Sequence, residues 1–190
     1  MAGLGAEVCI QHRDPGTPIR AFLERARWLA DLVRSGGAQL AVNGRLDVAL
    51  LLGAHLHLPV DGPRPDEVRA HLPPDRWISA AVHSPEELTR AAGADAFLVS
   101  PVHPPGSKPA DRRAALGPEG FGLLAARAAP TACFALGGMT PARLRALPPC
   151  AGVAVQSAIL AAERPAEVAR AFLDVLPGGG GSTAGRRGRG

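Results

Sequence analysis

The chain has 190 residues, 46% of them hydrophobic and 20% charged, an ordinary globular composition that suits one domain. The formal net charge is +4, but Arg186, Arg187 and Arg189 lie in a glycine-rich tail, so the body is nearly neutral and nucleic-acid binding is not expected. The chain has no apolar run of about 18 residues, no signal-peptide pattern and no CxxC pair. We therefore predict a cytoplasmic protein without a nucleic-acid or membrane partner.

Short apolar runs alternate along the chain with longer amphipathic segments. The predicted strands are Glu7–Gln11, Gln39–Asn43, Ala54–Leu58, Trp77–Val82, Ala96–Pro101, Ala132–Leu136 and Gly152–Gln156. The predicted helices are Ile19–Ser35, Arg45–Leu52, Pro65–Ala70, Pro85–Ala92, Pro118–Ala128, Pro141–Leu147 and Pro165–Leu176. Two of the helices begin with a capping residue followed by proline, at Ser84-Pro85 and Thr140-Pro141, which is a typical helix start.

Seven successive strand-then-helix units indicate parallel strands joined by crossover helices. A closed eight-stranded barrel and an open doubly wound sheet both fit this order, and the barrel needs at least about 200 residues. We predict an α/β fold, a (β/α)8 TIM barrel that lacks its first βα unit, with a genuine seven-unit fold as the alternative. This single domain is predicted to fill residues 1–177, and residues 178–190 are predicted to be a disordered Gly/Arg-rich tail.

The ends of the last two predicted strands carry the clearest site pattern. Gly137-Gly138 follows an apolar strand and precedes a helix start, and Gln156-Ser157 follows the next strand. Glycines let backbone N–H groups approach a ligand, and a helix start favours an anion, so this pattern predicts phosphate binding. A tight turn that requires glycine is the alternative explanation.

Three other residues near strand ends have side chains suited to phosphate chemistry. Arg13 can pair a phosphate through two hydrogen bonds, and His103 can transfer protons near neutral pH. Lys108 is the only lysine, and it lies in a Pro/Gly-rich loop of about 17 residues, a length typical of binding loops. Each of the three is also explained as an ordinary surface side chain.

Three histidines, His55, His57 and His83, fall near strand ends and raise the question of a metal. Two of them share one face of a strand, but no carboxylate stands at ligand spacing with them. These residues therefore predict no metal site.

Ordered motifs at these strand ends resemble those of one family. Asn43-Gly44-Arg45, followed by Asp47, is similar to the NGRxDxAL junction of the thiamine phosphate synthase and TenI superfamily. The matching segments are Val42–Leu50, His57–Pro59, Val82–Glu87, Gly93–Asp95, Ser100–Val102, Leu136–Pro141 and Gly152–Ile159. The resemblance spans about residues 6–175 and is more specific to the superfamily than to one activity.

The resemblance implies a barrel of thiamine biosynthesis that binds a small-molecule thiazole phosphate. In the synthase, this thiazole phosphate attacks a pyrimidine diphosphate with loss of pyrophosphate. The residues implied to hold the thiazole phosphate are Gly137, Gly138 and Ser157, with Gln156 beside them. The residues implied to hold the pyrophosphate are Gln11, Arg13, Asn43 and Lys108, and Ser107 is retained in the same loop.

The chain departs from the synthase pattern where two aspartates are implied to hold magnesium. Gly44 stands at the first of these positions, and Gly62 stands near the second, with Asp61 one residue earlier. Pro15 replaces a lysine of the pyrophosphate site. Since a divalent ion usually offsets the charge of departing pyrophosphate, these departures favour the other branch of the superfamily.

The TenI-like branch carries NGRxD and aromatises a thiazole carboxylate phosphate by moving a proton, without a metal. Its acid–base histidine matches Pro101 here, with His103 two residues later. Our first hypothesis is therefore a TenI-like thiazole tautomerase without a cofactor. His103 is its catalytic residue, and Lys108 and Arg13 assist electrostatically.

Two alternatives remain open. The second hypothesis is a thiamine phosphate synthase whose magnesium, its cofactor, is held by Asp61 or Asp14. The third is a non-catalytic regulatory barrel that binds a phosphate ligand. A homodimer is compatible with all three, because a missing first strand would leave an unpaired gap in the barrel.

Overall fold

The structure, a computed structural model, describes residues 2–104 and 114–176. Ser107, Lys108 and the tail 178–190 lie outside the described residues, so the predictions made for them stay predictions. The strands are β1 Cys9–His12, β2 Gln39–Asn43, β3 His55–Leu58, β4 Ile78–Val82, β5 Ala96–Val99, β6 Ala132–Leu136 and β7 Gly152–Ala154. Every predicted strand is present, although five of the seven differ from their predicted limits at one or both ends.

The helices follow the strands in the predicted order. They are α1 Ile19–Gly36, α2 Leu46–Leu52, α3 Pro65–Arg69, α4 Pro85–Arg90, α5 Gly117–Ala128, α6 Pro141–Arg145, α7 Ser157–Leu160 and α8 Pro165–Leu173. The sequence patterns missed α7 and a 3-10 helix over Ala2–Glu7. Among residues 2–104 and 114–176, no helix is both long and apolar enough to cross a membrane.

All seven strands are parallel, and each pairs with its neighbour in chain order from β1 to β7. Within the described residues, β1 and β7 do not pair with each other, so the sheet is an open, curled half-barrel. The predicted α/β class and parallel order are confirmed. The prediction of a (β/α)8 barrel that lacks its first βα unit is not confirmed.

The two faces of the sheet differ in chemistry because successive side chains point to opposite sides. One face packs beneath the helices and supplies the core, with fully buried Val42, Leu56, Ile78, Val82, Val99 and Ala135. The other face carries Asn43, His57 and Ser79 at alternate positions. The polar residues of the candidate site therefore lie on the concave side of the sheet.

Local capping explains where several helices begin and end. Oγ of Ser84 accepts a hydrogen bond from the backbone N–H of Glu87, as the Ser-Pro pattern predicts for α4. Gly37 ends α1 in the left-handed region, with φ of 71°. The last strand ends early because the carbonyl of Gln156 accepts a hydrogen bond from Leu160 and starts α7.

Candidate active site

Polar side chains collect at the carboxyl ends of the strands, the edge at which parallel α/β folds form their sites. On the side of the sheet formed by β1, β2 and β3, Asn43 pairs in register with His57. The carbonyl of His57 accepts a hydrogen bond from the N–H of Gly44 at 2.8 Å. Arg13 follows β1 and is close enough for its charge to act on His57. The structure thus groups Arg13 and Asn43, both implied by the resemblance, around a histidine.

His57 forms a buried pair with Ser79 of the neighbouring strand. Its Nδ1 lies 2.8 Å from Oγ of Ser79, and the two residues are 5% and 2% exposed. Burial, assisted by the positive charge of Arg13, lowers the pKa of His57 to about 4. The imidazole is therefore neutral at pH 7. Because Nδ1 is engaged, Nε2 is the ring nitrogen left to contact a ligand.

Gln11 lies on the strand next to the one that carries Asn43. It is exposed on β1, an edge strand, and pairs in register with Ala41, two residues before Asn43. The side chain shares the concave face with Arg13 by alternation along the strand.

The Gly137-Gly138 loop lies against the segment that follows β5. His103 donates its backbone N–H to the carbonyl of Gly137 at 3.1 Å. A Cβ atom added at Gly138 would lie 2.7 Å from the Pro104 carbonyl oxygen, and one added at Gly137 would lie 2.9 Å from Pro101. Both glycines also have positive φ, 101° and 57°. The tight-turn explanation for these glycines therefore holds, whether or not they also bind phosphate.

The Gly137-Gly138 loop and the loop after β7 both offer backbone N–H donors. Neither Gly138 nor Ser157 donates its N–H to another described residue. Since Leu136 and Ala154 pair at the ends of β6 and β7, the loops that follow these strands lie side by side. Gln156 and Ser157 are both exposed at this edge. The argument from helix starts is weaker than predicted, because α6 has five residues and α7 has four.

His103 lies beside this loop with one ring nitrogen buried. Its Nε2 is inaccessible to solvent and has no hydrogen-bond partner among residues 2–104 and 114–176. Burial, and then the positive charge of Arg143, lowers the pKa of His103 below its usual value. The ring is therefore neutral at pH 7 and able to accept or donate a proton.

The three histidines considered for a metal have separate partners. His55 stacks on Trp77 with ring centroids 4.2 Å apart, and Nδ1 of His83 lies 2.7 Å from Oε2 of Glu87. No group of three or more His, Cys, Asp or Glu suited to a metal occurs in the described part of the chain.

The positions implied for magnesium do not fit that ion. Gly44 and Gly62 supply no carboxylate, and a Cβ at Gly62 would lie 3.1 Å from the carbonyl oxygen of Pro59. Asp61 is exposed, and Asp14 is ion-paired with Arg25 on α1. Within the described residues, neither substitute carboxylate belongs to a group of three or more His, Cys, Asp or Glu that could hold a metal ion.

Two residues beside the candidate site were not found from the sequence. Ser79 lies inside an apolar strand, and only the structure shows that it is buried beside a histidine. Arg143 lies on α6 and donates a hydrogen bond to the carbonyl of Gly138. One arginine among the 20 in the chain carries no sequence signal of its own.

A curled parallel sheet with polar residues gathered at the carboxyl edge is typical of barrel enzymes. A family model described as thiamine monophosphate synthase matches residues 2–159, so the chain belongs to this enzyme family, TMP-TENI. This confirms the resemblance at the level of the superfamily. The TenI-like branch is not confirmed.

Several similar proteins carry the name of the synthase. A putative thiamine-phosphate synthase of Geobacter sulfurreducens is 39% identical, covering 91% of this chain and 83% of the relative. The thiamine-phosphate synthase of Azorhizobium caulinodans is 35% identical, with coverages of 90% and 82%. The solved thiamine phosphate pyrophosphorylase from Pyrococcus furiosus superposes with a TM-score of 0.80 at 26% identity, covering 95% of this chain and 88% of that one.

Proposed function

We propose that the chain is a thiamine-phosphate synthase, which joins a thiazole phosphate to a pyrimidine diphosphate and releases pyrophosphate. The observation that carries the proposal is the similarity, over nine-tenths of the chain, to relatives with that name. Their names favour our second hypothesis over the first. Membership of an enzyme family also counts against the non-catalytic barrel.

The chain's own residues suggest how this edge of the sheet serves the reaction. Departing pyrophosphate carries negative charge, which Arg13 can offset through two parallel hydrogen bonds. Asn43 adds a neutral donor, and neutral His57 is held in one orientation by Ser79. The loop at Gly138 lies at the other end of the sheet, so the two substrates would meet across the concave face.

Pyrophosphate release from the two substrates tests this proposal. We expect the purified chain to release pyrophosphate only when both substrates are present. Arg13→Ala is expected to lower kcat/KM at least about tenfold, because one hydrogen-bonded charge pair contributes about 1.5–3 kcal/mol. Arg27→Ala, which removes an exposed arginine of α1, is the matched control and should retain activity.

The same assay must also test whether the reaction depends on magnesium, because the described carboxylates do not form a site for this ion. The reaction is to be run with magnesium and with a chelator. Absence of pyrophosphate release under both conditions would refute the synthase proposal.

One observation favours tautomerase activity as the second candidate. Nε2 of His103 is buried without a described partner, beside the loop proposed to hold the thiazole phosphate. A neutral imidazole there is suited to moving a proton on the thiazole ring. This reaction needs neither the pyrophosphate site nor a metal.

Conversion of the thiazole carboxylate phosphate tautomer to its aromatic form tests the second candidate. General acid–base catalysis contributes about 10²–10⁴-fold, so we expect His103→Asn to lower kcat by about 100-fold. His71→Asn is the control, because it replaces an exposed histidine that lies outside the candidate site. An unchanged rate in His103→Asn would remove the proposed role of His103.

A further inference from the structure

Arg143 contacts the Gly137-Gly138 loop, a role that none of the sequence motifs assigns to it. Its Nη1 donates a hydrogen bond to the carbonyl oxygen of Gly138, and a Cβ atom placed at Gly138 would lie 3.2 Å from the same nitrogen. The backbone N–H of Arg143 is held in turn by Oγ1 of Thr140 at 3.2 Å. Both ends of this arginine are therefore tied to the segment between β6 and α6.

The hydrogen bond from Arg143 orients one peptide group of the loop. The carbonyl of Gly138 shares a planar trans peptide with the N–H of Met139, and the two groups point in opposite directions. With the carbonyl held by the guanidinium, the N–H points away from it. The side of this peptide that faces away from Arg143 thus presents a donor, which an anion prefers to a carbonyl oxygen.

The guanidinium also sets the charge of the loop. The arginine side chain is a cation, and among residues 2–104 and 114–176 the guanidinium of Arg143 donates only to Gly138. Among the described residues, the titratable side chain of His103 lies next to this loop and is affected by the charge of Arg143. A Cβ atom placed at Gly138 would lie 2.9 Å from the Cβ of His103. Burial and Arg143 both lower the pKa of His103. The loop therefore combines a fixed cation with a neutral ring.

We propose that Arg143 is a positioning residue of the phosphate site, which orients the Gly138–Met139 peptide and adds a fixed positive charge that favours a phosphomonoester. This inference rests on the proposed function, because the thiazole phosphate is the phosphomonoester of that reaction. It goes further in assigning a side chain to a site that the resemblance builds from backbone groups alone.

Calorimetric titration of the full chain with thiazole phosphate, at low and at high salt, tests the inference. Arg143→Gln is expected to raise Kd about fivefold to tenfold at low salt and less at high salt, because salt screens a partly exposed charge. Arg145→Gln removes the same charge from an exposed position of the same helix and should change Kd less than about twofold. Binding of the dephosphorylated thiazole should be equal in all three proteins.

The outcomes separate this inference from the proposed function. If the parent chain binds thiazole phosphate and the two variants are equally weakened, the role of Arg143 is refuted while the function stands. If the parent does not bind thiazole phosphate, both are refuted. Histidine NMR gives a readout without ligand: the pKa of His103 should rise in Arg143→Gln, and an unchanged value would contradict the electrostatic contact.

Discussion

Acidification from pH 6.5 to pH 4 is expected to lower the free energy of unfolding by about 3 kcal/mol through His57 alone. The histidine is buried beside Ser79, and its pKa falls from 6.5 to about 4 on folding. Between these two values the unfolded chain binds a proton that the folded chain does not. Above pH 6.5, His57 therefore does not lower the free energy of unfolding. Between pH 6.5 and about pH 4 its protonation in the unfolded chain lowers that free energy, and below about pH 4 it causes no further loss.

A variant comparison is needed because His55 also has its pKa lowered to about 4 and acts in the same pH window. Urea unfolding of the parent and of His57→Gln, measured between pH 7 and pH 4.5, isolates the contribution of one residue. We expect the slope of unfolding free energy against pH to be smaller in His57→Gln. His71→Gln, at an exposed histidine, is the matched control and should keep the parent slope. Equal slopes in the parent and His57→Gln would contradict the burial argument.

Gly138→Ala is expected to lower the free energy of unfolding by about 3 kcal/mol, from two separate causes. A non-glycine residue at φ of 57° is strained, which costs about 1 kcal/mol. The added Cβ would also lie 2.7 Å from the Pro104 carbonyl oxygen and 2.9 Å from Cβ of His103, so the loop after β5 would have to move.

Gly16→Ala is the matched control for this prediction. Gly16 has a similarly positive φ of 84°, but an added Cβ would meet no atom within 4 Å. We therefore expect Gly16→Ala to cost only about 1 kcal/mol, the backbone component. Denaturant midpoints of the two variants provide the measurement. If both variants lose the same stability, the packing of the Gly138 loop against the segment after β5 is not as the structure has it.

The candidate site shows a mismatch between family and residues that bears on the reaction. The relatives are named as synthases, whereas Gly44 and Gly62 occupy the positions implied for magnesium-binding aspartates. Loss of those carboxylates removes a means of offsetting pyrophosphate charge. We propose that Arg13 compensates for this loss, which is why its replacement is the central variant of the activity assay.

Secondary structure was largely predictable because the local patterns are strong. Gln39–Asn43 and Ala132–Leu136 are strands with the predicted limits, since each contains apolar residues that are buried in the sheet. The predicted limits of the other five strands differ from the structure at one or both ends. The last strand stops at Ala154 because Gln156 starts a short helix, and no sequence pattern announced that turn.

The candidate site, like the secondary structure, was predictable only in part from the sequence. Motifs placed Asn43, Gly137 and Gly138 at strand ends, and their positions in the fold agree with that placement. The pairing of His57 with Ser79, 22 residues apart, was not predictable, because only the sheet register makes them neighbours. The contact of Arg143 with Gly138 depends equally on how α6 folds back on the loop.

The sequence by itself determined the order of strands and helices, the parallel class and the family, because these depend on periodicity and on residues close together in the chain. Only the tertiary structure decided that the seven described strands form an open sheet, that His57 is buried and neutral, and that Gly138 packs against the loop of His103. These properties arise from contacts between residues distant in sequence. Burial and register follow from the packing of the whole sheet and have no local code.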